Sequence, residues 1–150
     1  GLISLISKYQ ARHILELGCA LGYTSACMAY AAPNSLIDTI EGDHEHVRLA
    51  RRHLANLPFP HHITVHQGDF LEVLTTLPNS YDFIFFDGYE PNSPIIKELL
   101  LHLVEGGILV CANLNLVSTK QVETILTNSA LERLETIENH QTAVYRKRSS

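Results

Sequence analysis

A chain of 150 residues is long enough for one domain with a sizeable buried core. Its 45% hydrophobic and 18% charged content is that of an ordinary globular protein, and no apolar run is long enough to span a bilayer. A net charge of -5 argues against a general binder of nucleic acid or anionic membrane.

Residues 2–10 read as an amphipathic helix. A first strand is expected over 13–17, ending in the glycine turn Gly18-Cys19-Ala20-Leu21-Gly22. A helix from Tyr23 to Ala32 follows at once, stopped by Pro33-Asn34. Leu36 to Glu41 reads as the second strand. Asp43 caps the next helix, with Val47, Ala50 and Leu54 on its buried face, and Pro58 and Pro60 end it. The third strand is His62 to His66, followed by Gln67-Gly68-Asp69 and a short helix from Phe70 to Thr76. The continuous apolar run from Tyr81 to Asp87 predicts a central parallel strand. A helix over 91–104 has Ser93 as cap, Pro94 at its first position, and Ile95, Leu99 and Leu103 on its inner face. Gly106-Gly107 turns the chain into a fifth strand, 108–112. A helix over 118–128 and two strands, 132–138 and 142–147, complete the chain, the strands as an antiparallel hairpin at the sheet's end. The pattern predicts one α/β domain over 1–150, a Rossmann-like doubly wound sheet, mainly parallel, with an antiparallel C-terminal hairpin.

Open parallel sheets bind ligands at the carboxyl ends of their strands, which here hold Gly18, Glu41, Gly68-Asp69 and Asp87. The glycine turn has the spacing E-x-G-x-x-x-G, with Glu16 first, and not the G-x-G-x-x-G of dinucleotide binders. Glu41 follows Gly18 by 23 residues, near the spacing at which an acid accepts ribose hydroxyls; the alternative is a solvated carboxylate. Asp69 could accept from an adenine amino group, and with Glu72 it is equally a helix-capping pair. Three unevenly spaced cysteines without C-x-x-C predict reduced, buried thiols in a cytoplasmic protein; Cys19, in the glycine turn, is read as inert. His44, His46, His61, His62 and His66 lack an accompanying carboxylate or cysteine cluster at zinc-like spacing and read as surface histidines.

The runs ILELGCALGYTSACMAYAAP, DTIEGD, QGDFLEVL, YDFIFFDG and GGILVCAN, in that order, resemble the S-adenosylmethionine-dependent methyltransferase fold. They are most similar to the catechol and caffeoyl-CoA O-methyltransferase group, over residues 1–115. The resemblance implies methyl transfer to a small-molecule acceptor, at oxygen, leaving S-adenosylhomocysteine. It implies that Glu16 and Gly18 shape the loop under the methionine part of the cofactor and that Thr24 contacts its carboxylate. Glu41 would bind the ribose hydroxyls, Gly42 would lie beside the adenine, and Asp69 near the adenine edge. Asp87 would lie close to the transferred methyl.

The chain departs from that group at two points. Metal-dependent members carry a lysine base three residues after the aspartate of Asp87; here the position holds Glu90, either a replacement base or an exposed loop glutamate. They also carry an Asp-Asn pair after the fifth strand, where this chain has Ala112-Asn113. One carboxylate and one amide are thin for magnesium, so no metal ligands are assigned and no divalent metal is expected. Relatives in this group carry N-terminal helices that cover the active site and help form a dimer. Here the first strand lies almost at the start, so the expectation is either a domain without those lid helices or a fragment of a longer chain, with homodimerisation left open. The alternative reading is a cofactor-binding domain that has lost catalysis and serves as an interaction scaffold. A nicotinamide-linked Rossmann enzyme is disfavoured by the glycine spacing and by the terminal hairpin.

Overall fold

The computed structural model describes residues 1–18, 21–58, 62–87, 93–112, 131–137 and 142–148. Seven strands, β1 (His13–Leu17), β2 (Leu36–Glu41), β3 (Ile63–Gln67), β4 (Tyr81–Asp87), β5 (Leu103–Ala112), β6 (Leu131–Ile137) and β7 (Thr142–Lys147), form one sheet in the order β3-β2-β1-β4-β5-β7-β6. The first five pair in parallel, and β7 joins β5 and β6 antiparallel.

Side-chain alternation along the strands gives the sheet two apolar faces. Ile14, Ile37, Phe83 and Val110 face one way, against α1 (Leu2–Lys8), α2 (Tyr23–Ala31) and α3 (His44–Leu54). Leu15, Leu17, Ile40, Ile84 and Phe86 face the other, against α4 (Phe70–Leu74) and α5 (Ser93–His102). Covering on both faces is why β4 reads as an unbroken apolar run. Each fully buried Leu or Ile contributes about 1.5–3 kcal/mol, so the central strands hold most of the core energy.

Asp43 caps α3 as expected, its Oδ1 accepting from the His46 N–H at 2.9 Å, and Val47, Ala50 and Leu54 are buried beneath it. Other expectations shift. β3 begins at Ile63, where pairing with β2 starts opposite Ile37, and the His62 ring before it lies 3.1 Å from the Pro33 carbonyl. α4 stops at Leu74, short of Thr76, whose hydroxyl bonds the Val73 carbonyl (2.7 Å). α5 ends at His102, and the residue that points inward near its start is Ile96, with Ile95 only partly buried. His102 is itself buried, with its Nδ1 2.7 Å from the Pro78 carbonyl. β5 starts at Leu103, earlier than expected, and the Gly106-Gly107 turn becomes a bulge: pairing steps from Tyr81–Leu103 to Phe83–Ile108. Cys111 is buried, which pushes its thiol up to about 12, but Cys27 is exposed on the outer side of α2, contrary to the buried thiols expected. The expected helix over 118–128 lies outside the described residues, as does the turn between β6 and β7. Among the described residues, no helix is long and apolar enough to cross a membrane.

Candidate functional site

Three strands end level at the carboxyl edge. Leu17 pairs with Ile40 on one side and with Phe86 on the other, so the residues that follow, Gly18, Glu41 and Asp87, stand side by side. The pairs Glu41–Gln67 and Asp87–Ala112 extend the row to β3 and β5. With strands about 4.8 Å apart, Glu41 and Asp87 flank Gly18 at about 10 Å from each other. The row crosses the place between β1 and β4 where the strand order reverses, the switch point at which open α/β sheets take ligands.

Gly18 anchors the centre. Its N–H donates to the Ile40 carbonyl (2.8 Å), its φ is 88°, and a Cβ built on it would have no described atom within 4 Å. Among the described residues, the backbone is therefore bare on that side. Gly22 is the N-cap of α2 and offers no side-chain cap, so amide donors of the first turn remain for an anion beside the partly buried Thr24. Glu16 lies beneath this turn and does not line it. Its carboxylate is fully buried, and its Oε1 accepts from the Ser25 hydroxyl of α2 and from the Thr39 hydroxyl of β2 (2.7 Å).

Glu41 is held at the other end. Its side chain is 13% exposed, Oε2 accepts from the Asp43 N–H at 2.9 Å, and His46 Nδ1 lies 3.8 Å away. The Glu41 carbonyl accepts from the Gly68 N–H (3.1 Å), which sets the Gly42 and Gly68 turns side by side. Asp69 adopts the capping alternative: its Oδ2 accepts from the Glu72 N–H at 3.2 Å, at the start of α4. His44 and His46 are exposed, with His44 Nδ1 3.2 Å from Gln67 Oε1. The Asp87 backbone completes the row. Its side chain, and Cys19, Gly88, Tyr89, Glu90 and Asn113, lie outside the described residues. Among the described residues, no group of three or more His, Cys, Asp or Glu could hold a metal ion.

Two features escaped the sequence reading. The first is the last turn of α3, which reaches the glycine turn: His53 Nδ1 lies 3.0 Å from the Leu21 carbonyl. The second is a polar row nearer the opposite edge. Asp38 accepts from the Tyr81 hydroxyl (2.6 Å), has His66 Nε2 at 2.8 Å and His13 Nε2 at 3.5 Å, and so links β1, β2, β3 and β4. His66 is thus a partly buried partner of Asp38 and not a surface histidine. Burial alone would raise the Asp38 pKa, but the His66 and Tyr81 hydrogen bonds and the neighbouring imidazoles outweigh it and hold it below its ordinary value. Burial, followed by the Asp38 charge, pushes the Tyr81 phenol up.

A carboxylate acceptor at one end of the row, a bare glycine in the middle and helix amides beyond suit a ligand with a hydroxylated ring and an anionic tail. Solved structures with the same fold include an O-methyltransferase from Streptomyces achromogenes, in complex with SAM, at a TM-score of 0.82 and 23% identity; the match covers 99% of this chain and 78% of that one. A Podospora anserina methyltransferase with SAH bound matches at 0.83 and 19% identity, over 99% of this chain and 76% of its own. A catechol O-methyltransferase of Niastella koreensis is 29% identical over 109 residues, 69% of this chain and 49% of that protein. The chain therefore spans about half the length of the curated relative it matches. The profile of the methyltransferase domain family matches residues 15–114, a stretch running from β1 past the end of β5. The chain belongs to the methyltransferase domain family.

Proposed function

We propose that this edge binds S-adenosylmethionine and that the protein transfers its methyl group to an oxygen of a small-molecule acceptor. The observation that carries the reading is the level row of Glu41, Gly18 and Asp87 at the switch point, beside the uncapped start of α2. The names of the relatives support it, two of them with SAM or SAH bound and one a catechol O-methyltransferase.

In this reading Glu41 accepts the ribose hydroxyls, Gly42 lies beside the adenine, and Asp69 sits near its edge while capping α4. Thr24 and the first amides of α2 receive the amino-acid carboxylate. Gly18 forms a floor without Cβ, and Glu16 fixes the loop from beneath through Ser25 and Thr39. The cofactor supplies a methyl group on a sulfonium, open to in-line attack by a nucleophilic oxygen. The chain's share is to align the two reactants and take up a proton, with Asp87 at the methyl end and Glu90 as the candidate base. We assign no metal to the reaction. The thiol of Cys27, exposed and free, fits a reducing compartment, and we place the protein in the cytoplasm.

Calorimetric titration with S-adenosylhomocysteine, with and without magnesium and with NAD as control, tests the proposal. Micromolar-range binding of S-adenosylhomocysteine alone, unchanged by magnesium, is the expected result. Tightening by magnesium would restore a metal role, and absence of binding would sink the reading.

A further inference from the structure

The helix α3 touches the row described above at its Glu41 end and at the glycine turn. Its N-cap Asp43 donates its N–H to the Glu41 carboxylate (2.9 Å), and its last turn meets the glycine turn through two residues. His53 Nδ1 lies 3.0 Å from the Leu21 carbonyl, 32 residues away in sequence. Leu54 fills the space beside Gly22, where a built Cβ would meet its side chain at 3.2 Å. The ring of Tyr23, the first residue of α2, lies 5.7 Å from that of His53, and both side chains are exposed.

We infer that His53 is a positioning residue for the methionine half of the cofactor site. This rests on the proposed function, since it assumes that the glycine turn receives that half. A carbonyl accepts only, so Nδ1 must carry the proton that bonds Leu21. The physical need is plain: Gly22 holds a φ of 88°, a glycine conformation whose ordering costs more backbone entropy than that of other residues, and a contact from outside the turn fixes the carbonyl next to it. Across its 11 residues, α3 makes that anchor continuous with the Glu41 end, so the two halves of the site keep a set separation.

The test compares wild type with His53→Ala and His53→Asn, each titrated with S-adenosylhomocysteine and with adenosine. Asparagine places an amide N–H close to the position of Nδ1, whereas alanine places nothing there. Adenosine carries the ribose and adenine without the amino-acid tail. The expected result is a loss of about fivefold in S-adenosylhomocysteine affinity for His53→Ala, the size of one ordinary hydrogen bond. Adenosine affinity stays within twofold, and His53→Asn regains most of the loss. Equal weakening of both ligands, or none, in a folded His53→Ala protein overturns the inference and leaves the proposed function standing. Wild-type protein that binds neither ligand overturns both.

Discussion

Two glutamates near the same sheet edge have opposite duties. Glu16 is sealed below the glycine turn by two hydroxyl donors, while Glu41 stays at the edge with an oxygen oriented by a backbone amide. Glu41→Ala should weaken S-adenosylhomocysteine binding by roughly 1.5–3 kcal/mol for each charged hydrogen bond lost, read by calorimetry, while the circular dichroism spectrum stays native. Unchanged affinity in a folded variant would reject the ribose assignment. Glu16→Ala should instead lower the melting temperature, because two buried hydroxyls lose their acceptor at about 1–3 kcal/mol each. Asp38 gives a pH signature. Its folded pKa is depressed below the ordinary 3.8, so its contribution is fully present above that value and is lost as pH falls through the folded one. Asp38→Asn should therefore be less stable than wild type at neutral pH, and the gap should narrow on acidification below about pH 4 in urea melts followed across pH. A gap that stays constant with pH would rule the charge out as its cause.

Among the elements, the turn between β1 and α2 separates binding from stability. At Gly18 a methyl group has room, since no described atom lies within 4 Å, so Gly18→Ala carries only the left-handed backbone penalty of about 1–2 kcal/mol. The same methyl group stands in the space assigned to the ligand. The expected outcome is a melting point only a few degrees lower with S-adenosylhomocysteine affinity reduced more than tenfold, seen by thermal shift and calorimetry together. A variant that binds normally would move the ligand elsewhere. This turn was legible in the sequence because a strand, a glycine pair and a helix follow one another without a gap, as were Glu41 and Asp87, which close apolar runs. The Asp38 row was not. His13, Asp38, His66 and Tyr81 meet only through strand register, with neighbours in the row tens of residues apart in the chain, and no local pattern encodes register across a parallel sheet. The same reason hid His53, whose partner lies in another βα unit, and the early start of β5, where pairing resumes across a bulge.

At the scale of the whole molecule, the sheet is layered in stability. β1 and β4 are covered on both faces and paired on both sides, whereas β3 and β6 are edge strands. Amide hydrogen exchange should be slowest in β1 and β4 and fastest in β3 and β6, with the binding turns opening before the core. Equal protection across the sheet would contradict this order. The strand order also bears on how the molecule is made. β7 follows β6 in sequence yet lies between β5 and β6, so β6 reaches the sheet only through it. A ribosome delivers β6 first, and that strand waits without a place until residues 142–147 emerge. Until then the nascent chain shows the bare edge of β5, buried in the finished protein, to any neighbouring polypeptide. Loss of those few residues from a truncated transcript would cost the cell more than one strand, since it would leave two strand edges open to aggregation.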